Sequence, residues 1–386
     1  MRAMRASKLV LPVILTVAAA FAPSALAAPA KVDVVASNLD APRHLAFGSR
    51  GDLFVAEAGS GGSGPCFVAA EGPACMGNSG AVTEVDRRGH QFRIAQGLAS
   101  FANTDPASTP NPIGPHGITV LGADQVFVTN GGPTEPLTAP LDQGGQRIDR
   151  ATLAAQNPAA NLFGRLLWIK HRGKVRSIAD IWAFERDVNP DATVGNPEID
   201  SNPVDVLFDR GRFVIADAGG NAIDRASFSG RVSNLAVFAN RNVPFGGGTV
   251  PMQAVPTSVV EGPDHAYYVS QLTGFPFPVG GANVFRVDPR TGQQTVVASG
   301  FTNIMDLAFG RDGTLYVLEI SNSGLLSGSA DGAIFAIPRH GPQRQIELSP
   351  GTLTAPGGIT VGRDGLYVSN QTFVPGQGQV LRIQPR

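Results

Sequence analysis

The chain has 386 residues, with 30 Lys and Arg against 31 Asp and Glu, a formal net charge of −1. A near-neutral chain with no Lys/Arg run lacks the electrostatic footprint of a nucleic-acid binder. The chain opens with Arg2, Arg5 and Lys8, then an apolar run over 9–21, then Ala25-Leu26-Ala27. A basic start, a short apolar stretch and an A-x-A motif predict a signal peptide over 1–27. The apolar run is too short to span a bilayer comfortably, and no later run approaches the ~18 apolar residues of a spanning helix. The expectation is a secreted, extracellular or periplasmic protein with no membrane segment after cleavage.

The remainder, 28–386, reads as one domain built from internal repeats. The unit is a strand, a tight turn and a second strand. It occurs over 42–57, 115–130, 203–217, 256–271, 304–319 and 356–370. A third strand follows each copy, over 81–86, 165–170, 222–227, 283–288, 333–338 and 380–384, and a fourth usually comes next, as over 294–299. Four short β-branched or aromatic strands per repeat, punctuated by Gly, Asp and Pro, form the signature of a propeller blade. The 47 Gly and 30 Pro supply the turns. The predicted fold is an all-β, six-bladed β-propeller with four-stranded blades. The sixth copy stops after its third strand, and the strand over 31–39 is expected to complete that blade and close the ring, removing an open edge.

Taken along the chain, the departures from this pattern are loops. Residues 59–80 form an insert loop carrying Cys66 and Cys75, the two cysteines of the chain. In an oxidising compartment the pair is expected to form a disulfide. The alternative, a two-thiolate metal site, has no second Cys pair, and its spacing fits no zinc pattern. A second insert loop spans 131–164, and 149–160 within it has helical character. Residues 177–188 place Ile178, Ile181, Trp182 and Phe184 at helical spacing, with Ser177 as a candidate N-cap and Pro190 as the stop.

Strand alternation puts the loop entering each first strand and the loop from second to third strand on one face. The inserts over 59–80, 131–164, 272–282 and 320–332 all fall there, so this long-loop face is the expected recognition surface. The residues ending the second strands are Glu57, Asn130, Asp217, Gln271, Glu319 and Asn370, a polar ring on the same face. A repeated residue of this kind more often bonds its own turn than serves a unique site. The unrepeated His44, His116, Asp205 and Asp306 are the catalytic candidates. Asp205 and Asp306 are also candidate ligands for Ca²⁺ or another divalent metal. Arg43 adjoins His44. Other motif searches are negative: Gly59 to Gly64 matches G-x-G-x-x-G but runs into Pro65 with no helix, and no G-x-S-x-G, H-E-x-x-H or P-loop is present. Asn370-Gln371-Thr372 fits a short glycosylation sequon.

Several runs are more specific. They are Asp200-Ser201-Asn202-Pro203, Ala216-Asp217-Ala218-Gly219-Gly220-Asn221, the stretch 255–260, the stretch 267–278 and the stretch 300–309. On these residues the chain resembles the ScyD/ScyE family of secreted bacterial propellers, across nearly all of 28–386. Val204-Asp205 departs from the pair this resemblance leads one to expect after Asn-Pro. The resemblance implies the propeller and export, and little chemistry. More loosely the repeats are similar to NHL repeats and to gluconolactonase/regucalcin propellers, which hold a divalent metal at the channel mouth. Here the equivalent positions are His44, Gly117, Asp205, Ser258, Asp306 and Gly358, which is not the lactonase set.

The functional expectation is therefore an extracellular binding or scaffold propeller. Its partner is a small molecule, glycan or protein at the long-loop face, with Phe275 and Phe277 as candidate apolar contacts. The alternative is a metal-dependent lactonase or hydrolase with Asp205 and Asp306 on the ion and His44 or His116 as base. A quinone-dependent oxidoreductase has no support in the residues.

Overall fold

The computed structural model describes residues 29–69, 72–132, 137–139, 144–145, 147–170 and 173–385. The signal peptide expected over 1–27 lies outside the described residues. No helix among the described residues is long and apolar enough to cross a membrane.

The fold is all-β, and its unit is an antiparallel meander. In the third sheet, Pro203–Asp209, Arg212–Asp217, Ala222–Ala226 and Val232–Val237 pair in sequence order. The second strand is buried from Phe213 to Asp217 on both sides of the pleat, because neighbouring sheets cover both faces. The first strands of successive sheets are Pro42–Phe47, Pro115–Leu121, Pro203–Asp209, Pro256–Glu261, Ile304–Phe309 and Gly358–Val361. Each lies beside the next, and Gly358–Val361 lies beside Pro42–Phe47. Apolar clusters fill the wedges between adjacent sheets. Phe54 packs with Ile118 and Leu167, Phe127 with Phe213, Val214 with Val269, and Leu307 with Val284. Leu318 packs with Ile359, and Leu45 with Val380. The N-terminal strand Lys31–Leu39 pairs antiparallel with Gly378–Gln384, in the same sheet as Gly358–Val361.

A register irregularity recurs at the start of the first strands. Between Pro42 and Leu45 the first strand advances three residues while its partner goes from Glu57 to Val55. The same one-residue excess occurs between Pro115 and Ile118, Pro203 and Asp205, Pro256 and Val259, and Ile304 and Asp306. An extra residue re-aims a side chain out of the pleat. His44, His116, Asp205, Ser258 and Asp306 all lie in or beside these bulges.

The inserts are structured. Cys66–Ala69 pairs with the start of Gly72–Val85, with Cys66 directly opposite Cys75, and the two are disulfide-bonded. Leu137–Thr138 and Arg147–Ile148 extend the same sheet. Helix α1 (Arg150–Gln156) follows, capped by Asp149, which accepts from Thr152 N. Phe67, Met76, Phe101, Leu137, Leu153 and Phe163 form one buried cluster beneath this layer.

Two expectations need correction. Helix α2 spans Ile181–Val188 and its N-cap is Asp180, not Ser177. Ser177 belongs to the strand Lys174–Asp180, whose ladder to Arg165–Lys170 keeps it extended. The inserts are also not confined to the links between second and third strands. A hairpin of Arg241–Phe245 and Gly248–Met252 lies in the link from the third to the fourth sheet. The Gly246-Gly247 turn, with both residues at positive φ, was its sequence signal.

Candidate functional site

The four unrepeated residues converge. The ligand atoms of His44, Asp205 and Asp306 all lie within 4.8 Å of one another, and all three residues are buried. His116 Nδ1 is 2.8 Å from the Val204 carbonyl and 3.3 Å from His44 Nδ1. A carbonyl accepts only, so His116 carries its proton on Nδ1, and His44 Nδ1 is the acceptor of the pair. That leaves His44 Nε2–H directed at Asp306 Oδ1, 3.6 Å away. This nitrogen is buried and has no hydrogen-bond partner.

The two carboxylates also tie the inner strands together. Asp205 accepts from Val206 N at 2.7 Å and, across to the next sheet, from Val259 N at 2.8 Å. Asp306 accepts from Leu307 N and from the Ser258 hydroxyl, and reaches Ile359 N of the next sheet at 2.7 Å. Burial pushes the Asp306 carboxyl up to about 6; His44 pulls it down and Asp205 adds to the rise. Burial, then the positive charge of Arg43, holds the His116 imidazole well below its usual range. Gly117 and Gly358 complete the inner circle. A Cβ on Gly117 would stand 2.3 Å from the Asp205 Cα, and one on Gly358 would stand 2.8 Å from the His44 Cα. Glycine is there because the next inner strand needs the space.

A cavity of about 270 Å³ reaches this group. Its walls run from His44, Asp205 and Asp306 along the later residues of the first strands to Leu207, Phe309 and Val361. The inner group is therefore approached from the ends of the first strands, on the side of the short loops. On the other side Arg43 is buried and donates to the Pro112 carbonyl and to Asn111.

The six residues ending the second strands do not converge on the channel. Each is buried and bonds the backbone near it. Glu57 accepts from Asp40 N, Asp217 from Asn202 N, Glu319 from Thr302 N and Asn370 from Thr354 N. Each of those four amides lies in the loop that enters the first strand of the same sheet. Gln271 accepts from Asn283 N, and Asn130 donates to Ala99 and Gly131 carbonyls. The repeated residue is a staple for its own sheet, and Asn130 reaches the preceding sheet as well.

On the long-loop face the structure sets Phe245, Val279 and Leu326, which the sequence did not single out, beside or near the expected Phe275 and Phe277. Phe245 at the hairpin tip and Phe275 are 44% and 51% exposed, and their rings meet edge-on at 4.8 Å. Phe277 stands beside Phe275, with ring centroids 6.4 Å apart. Arg241 ties the hairpin to the neighbouring loop through the Gly281 carbonyl. Val279 and Leu326, exposed at 67% and 62%, lie on the adjoining loops. A buried carboxylate, Glu185, lies on the inner side of α2 with Ile181 and Trp182.

No family model and no curated protein matches the chain. Solved structures do. A glucose dehydrogenase superposes with a TM-score of 0.50 at 14% identity, over 92% of this chain and all of the other (100%). A putative oxidoreductase (glucose dehydrogenase) from Thermus thermophilus gives 0.49 at 17% identity, over 92% and 99%. Virginiamycin B lyase from Staphylococcus aureus gives 0.47 at 12% identity, over 92% and 99%. At such identities the likeness is one of fold, a β-propeller, and carries nothing about activity.

Proposed function

We propose that the chain is an exported, six-bladed propeller of the ScyD/ScyE type that binds an extracellular ligand through its long-loop face. The observation that carries this reading is the exposed Phe245–Phe275 pair, with Phe277 beside Phe275 and the exposed Val279 and Leu326 on adjoining loops. Contiguous exposed aromatic and aliphatic surface marks a contact site more often than an isolated side chain does. The pair is held by the paired hairpin Arg241–Phe245/Gly248–Met252 and by the Arg241 bond to the Gly281 carbonyl, so the surface is presented on a hydrogen-bonded support. The cycle of neighbouring first strands and the N-terminal strand in the last sheet support six blades and a closed ring. The disulfide agrees with an oxidising compartment. Small molecules, glycans and proteins are the ligand classes. The double variant Phe245→Ser/Phe275→Ser is expected to lose binding by about tenfold or more with little change in melting temperature, because the rings are half exposed. Undiminished binding by that variant sinks the reading.

A second reading is carried by the inner group. With the His44 proton moved to Nδ1, its buried, unpartnered Nε2 beside two carboxylates fits a divalent ion held by His44, Asp205 and Asp306. One imidazole and two carboxylates suit Zn²⁺ or Mn²⁺ better than Ca²⁺. Such an ion supplies Lewis-acid polarisation of a carbonyl in the cavity. His116, kept neutral by burial, is the available proton acceptor. Metal analysis of Asp205→Asn/Asp306→Asn against the unaltered protein tests it: no stoichiometric metal in either removes the hydrolase reading.

A further inference from the structure

Beneath α2 lies a second acidic group, separate from the channel. Glu185 is 2% exposed on the inner side of the helix. Its Oε2 and the Asp217 Oδ2 lie 3.2 and 3.5 Å from where a Cβ on Gly220 would sit, so Gly220 leaves the space between them open. Asp191, in the turn Pro190–Val194 just after the helix, is equally buried. Its Oδ2 accepts from the Asn221 amide at 3.0 Å, and that amide also donates to the Gly219 carbonyl. Asp224, on Ala222–Ala226, is a fourth buried carboxylate near them.

Among the described residues no cation neutralises these groups: none of Glu185, Asp191, Asp217 and Asp224 pairs with a Lys, Arg or His. Glu185 Oε1 and Asp191 Oδ1 are buried without a hydrogen-bond partner. Asp217, by contrast, is fixed by Ser201, Asn202 N and Gly220 N. Burial, with Asp217 next, pushes Glu185 up to about 9, and burial raises Asp191 to about 6. Several carboxylates buried together need protons or a cation. Glu185 Oε1 and Asp191 Oδ1 are two buried acceptors with nothing to accept from, a lack that a single proton leaves in place and a cation fills.

We propose that Glu185, Asp191 and Asp217 bind a divalent cation of the Ca²⁺ class, which pins α2 and the turn after it onto the third sheet. The carboxylates and the nearby amide and carbonyl groups form a hard, all-oxygen donor set of the kind Ca²⁺ takes, with no imidazole or thiolate for a softer metal. Among the described residues no three of these acids bring ligand atoms within 4.8 Å, as the channel group does. Binding therefore draws in the Glu185 side chain, which is free of hydrogen bonds at Oε1. Asp217 is the fixed partner, and Asn221 orients Asp191.

The test uses the purified full chain, stripped with chelator and titrated with Ca²⁺ by calorimetry. The fluorescence of Trp182, one turn before Glu185 on α2, and the thermal melt are followed in parallel. The expected result is one bound Ca²⁺ in the unaltered protein and in Asp306→Asn, with a rise in melting temperature of about 3 °C or more. Glu185→Gln and Asp191→Asn should bind about tenfold or more weakly and lose the rise. Glu185→Gln keeps the shape of the protonated carboxyl and carries no charge, so in chelator it should melt no lower than the unaltered protein. Absence of Ca²⁺ binding at millimolar concentration overturns the proposal. So does unaltered affinity in both variants, or loss in Asp306→Asn alone, which places the ion in the channel.

Discussion

At the scale of single residues, the inner positions alternate between groups that reach across to the next sheet and small residues, Gly117, Ser258 and Gly358, that let it come close. Asp205 and Asp306 reach a backbone N–H of the following sheet, and His44 reaches His116. His116 gives a pH signature. Its folded-state proton affinity is depressed, so the unfolded chain takes up a proton first as pH falls. Its contribution to stability is full above the unfolded value of about 6.5 and shrinks as pH falls below it. Asp306 has the opposite sign. Its folded affinity is raised to about 6, so its contribution is full at low pH and is lost as pH rises from the unfolded value toward 6. Denaturant melts of His116→Gln from pH 7.5 to 5 should show a shallower loss of stability on acidification than the unaltered protein shows. An unchanged slope means that His116 is not the group held neutral. His44, Asp205 and Asp306 were legible because they interrupt a repeat in which the equivalent positions are otherwise Gly or Ser, and His116 because it is the imidazole next to one of those glycines. Glu185 was not, because a single Glu in a short amphipathic segment looks like a solvated residue until its helix is docked.

At the scale of elements, a bulge at the start of the first strand sets the site. Alternation alone predicts which side chains face a neighbouring sheet, and one inserted residue turns the next side chain toward the channel instead. That irregularity cannot be read from hydropathy, because Pro42-Arg43-His44-Leu45 and Pro115-His116-Gly117-Ile118 both look like ordinary strand starts. The same packing explains why the circle tolerates no side chain at two positions. Gly117→Ala puts a methyl against the Asp205 backbone, where no flexible neighbour can give way. The expected cost is about 1–3 kcal/mol or more, measured by urea denaturation. A loss below about 0.5 kcal/mol would mean that the inner strands are not so closely opposed. The strand pattern was legible for the opposite reason: each second strand is a nearly continuous apolar run bounded by Gly, Asp or Asn. The boundary of α2 was misplaced because 177–180 carries helical periodicity while its backbone completes a sheet. The ladder to Arg165–Lys170 decides between them.

At the scale of the molecule, the first and last strands share one sheet, so each holds the other in place. Val32 to Val34 pair with Ile383 to Leu381, and Arg382 joins Asp33 and Asp364 across the seam. Removing residues 31–39 exposes the edge of Gly378–Gln384 and uncovers Val380. The truncated chain should lose its single cooperative melt and aggregate on size-exclusion chromatography. A monomeric, equally stable truncation would show that the seam is dispensable.

The two candidate sites lie on different faces of the molecule. The cavity reaching His44, Asp205 and Asp306 lies toward the short loops, whereas the exposed Phe245–Phe275 pair lies with the inserts. The most direct measurement is binding of one array of glycans, small molecules and extracellular proteins to three proteins in parallel: the unaltered chain, Phe245→Ser/Phe275→Ser and Asp205→Asn/Asp306→Asn. Recognition by the long-loop face predicts that the aromatic variant loses the ligands the unaltered chain retains, while the inner-group variant keeps them. Ligands kept by the aromatic variant and lost by the inner-group variant would contradict that account and move the function to the channel.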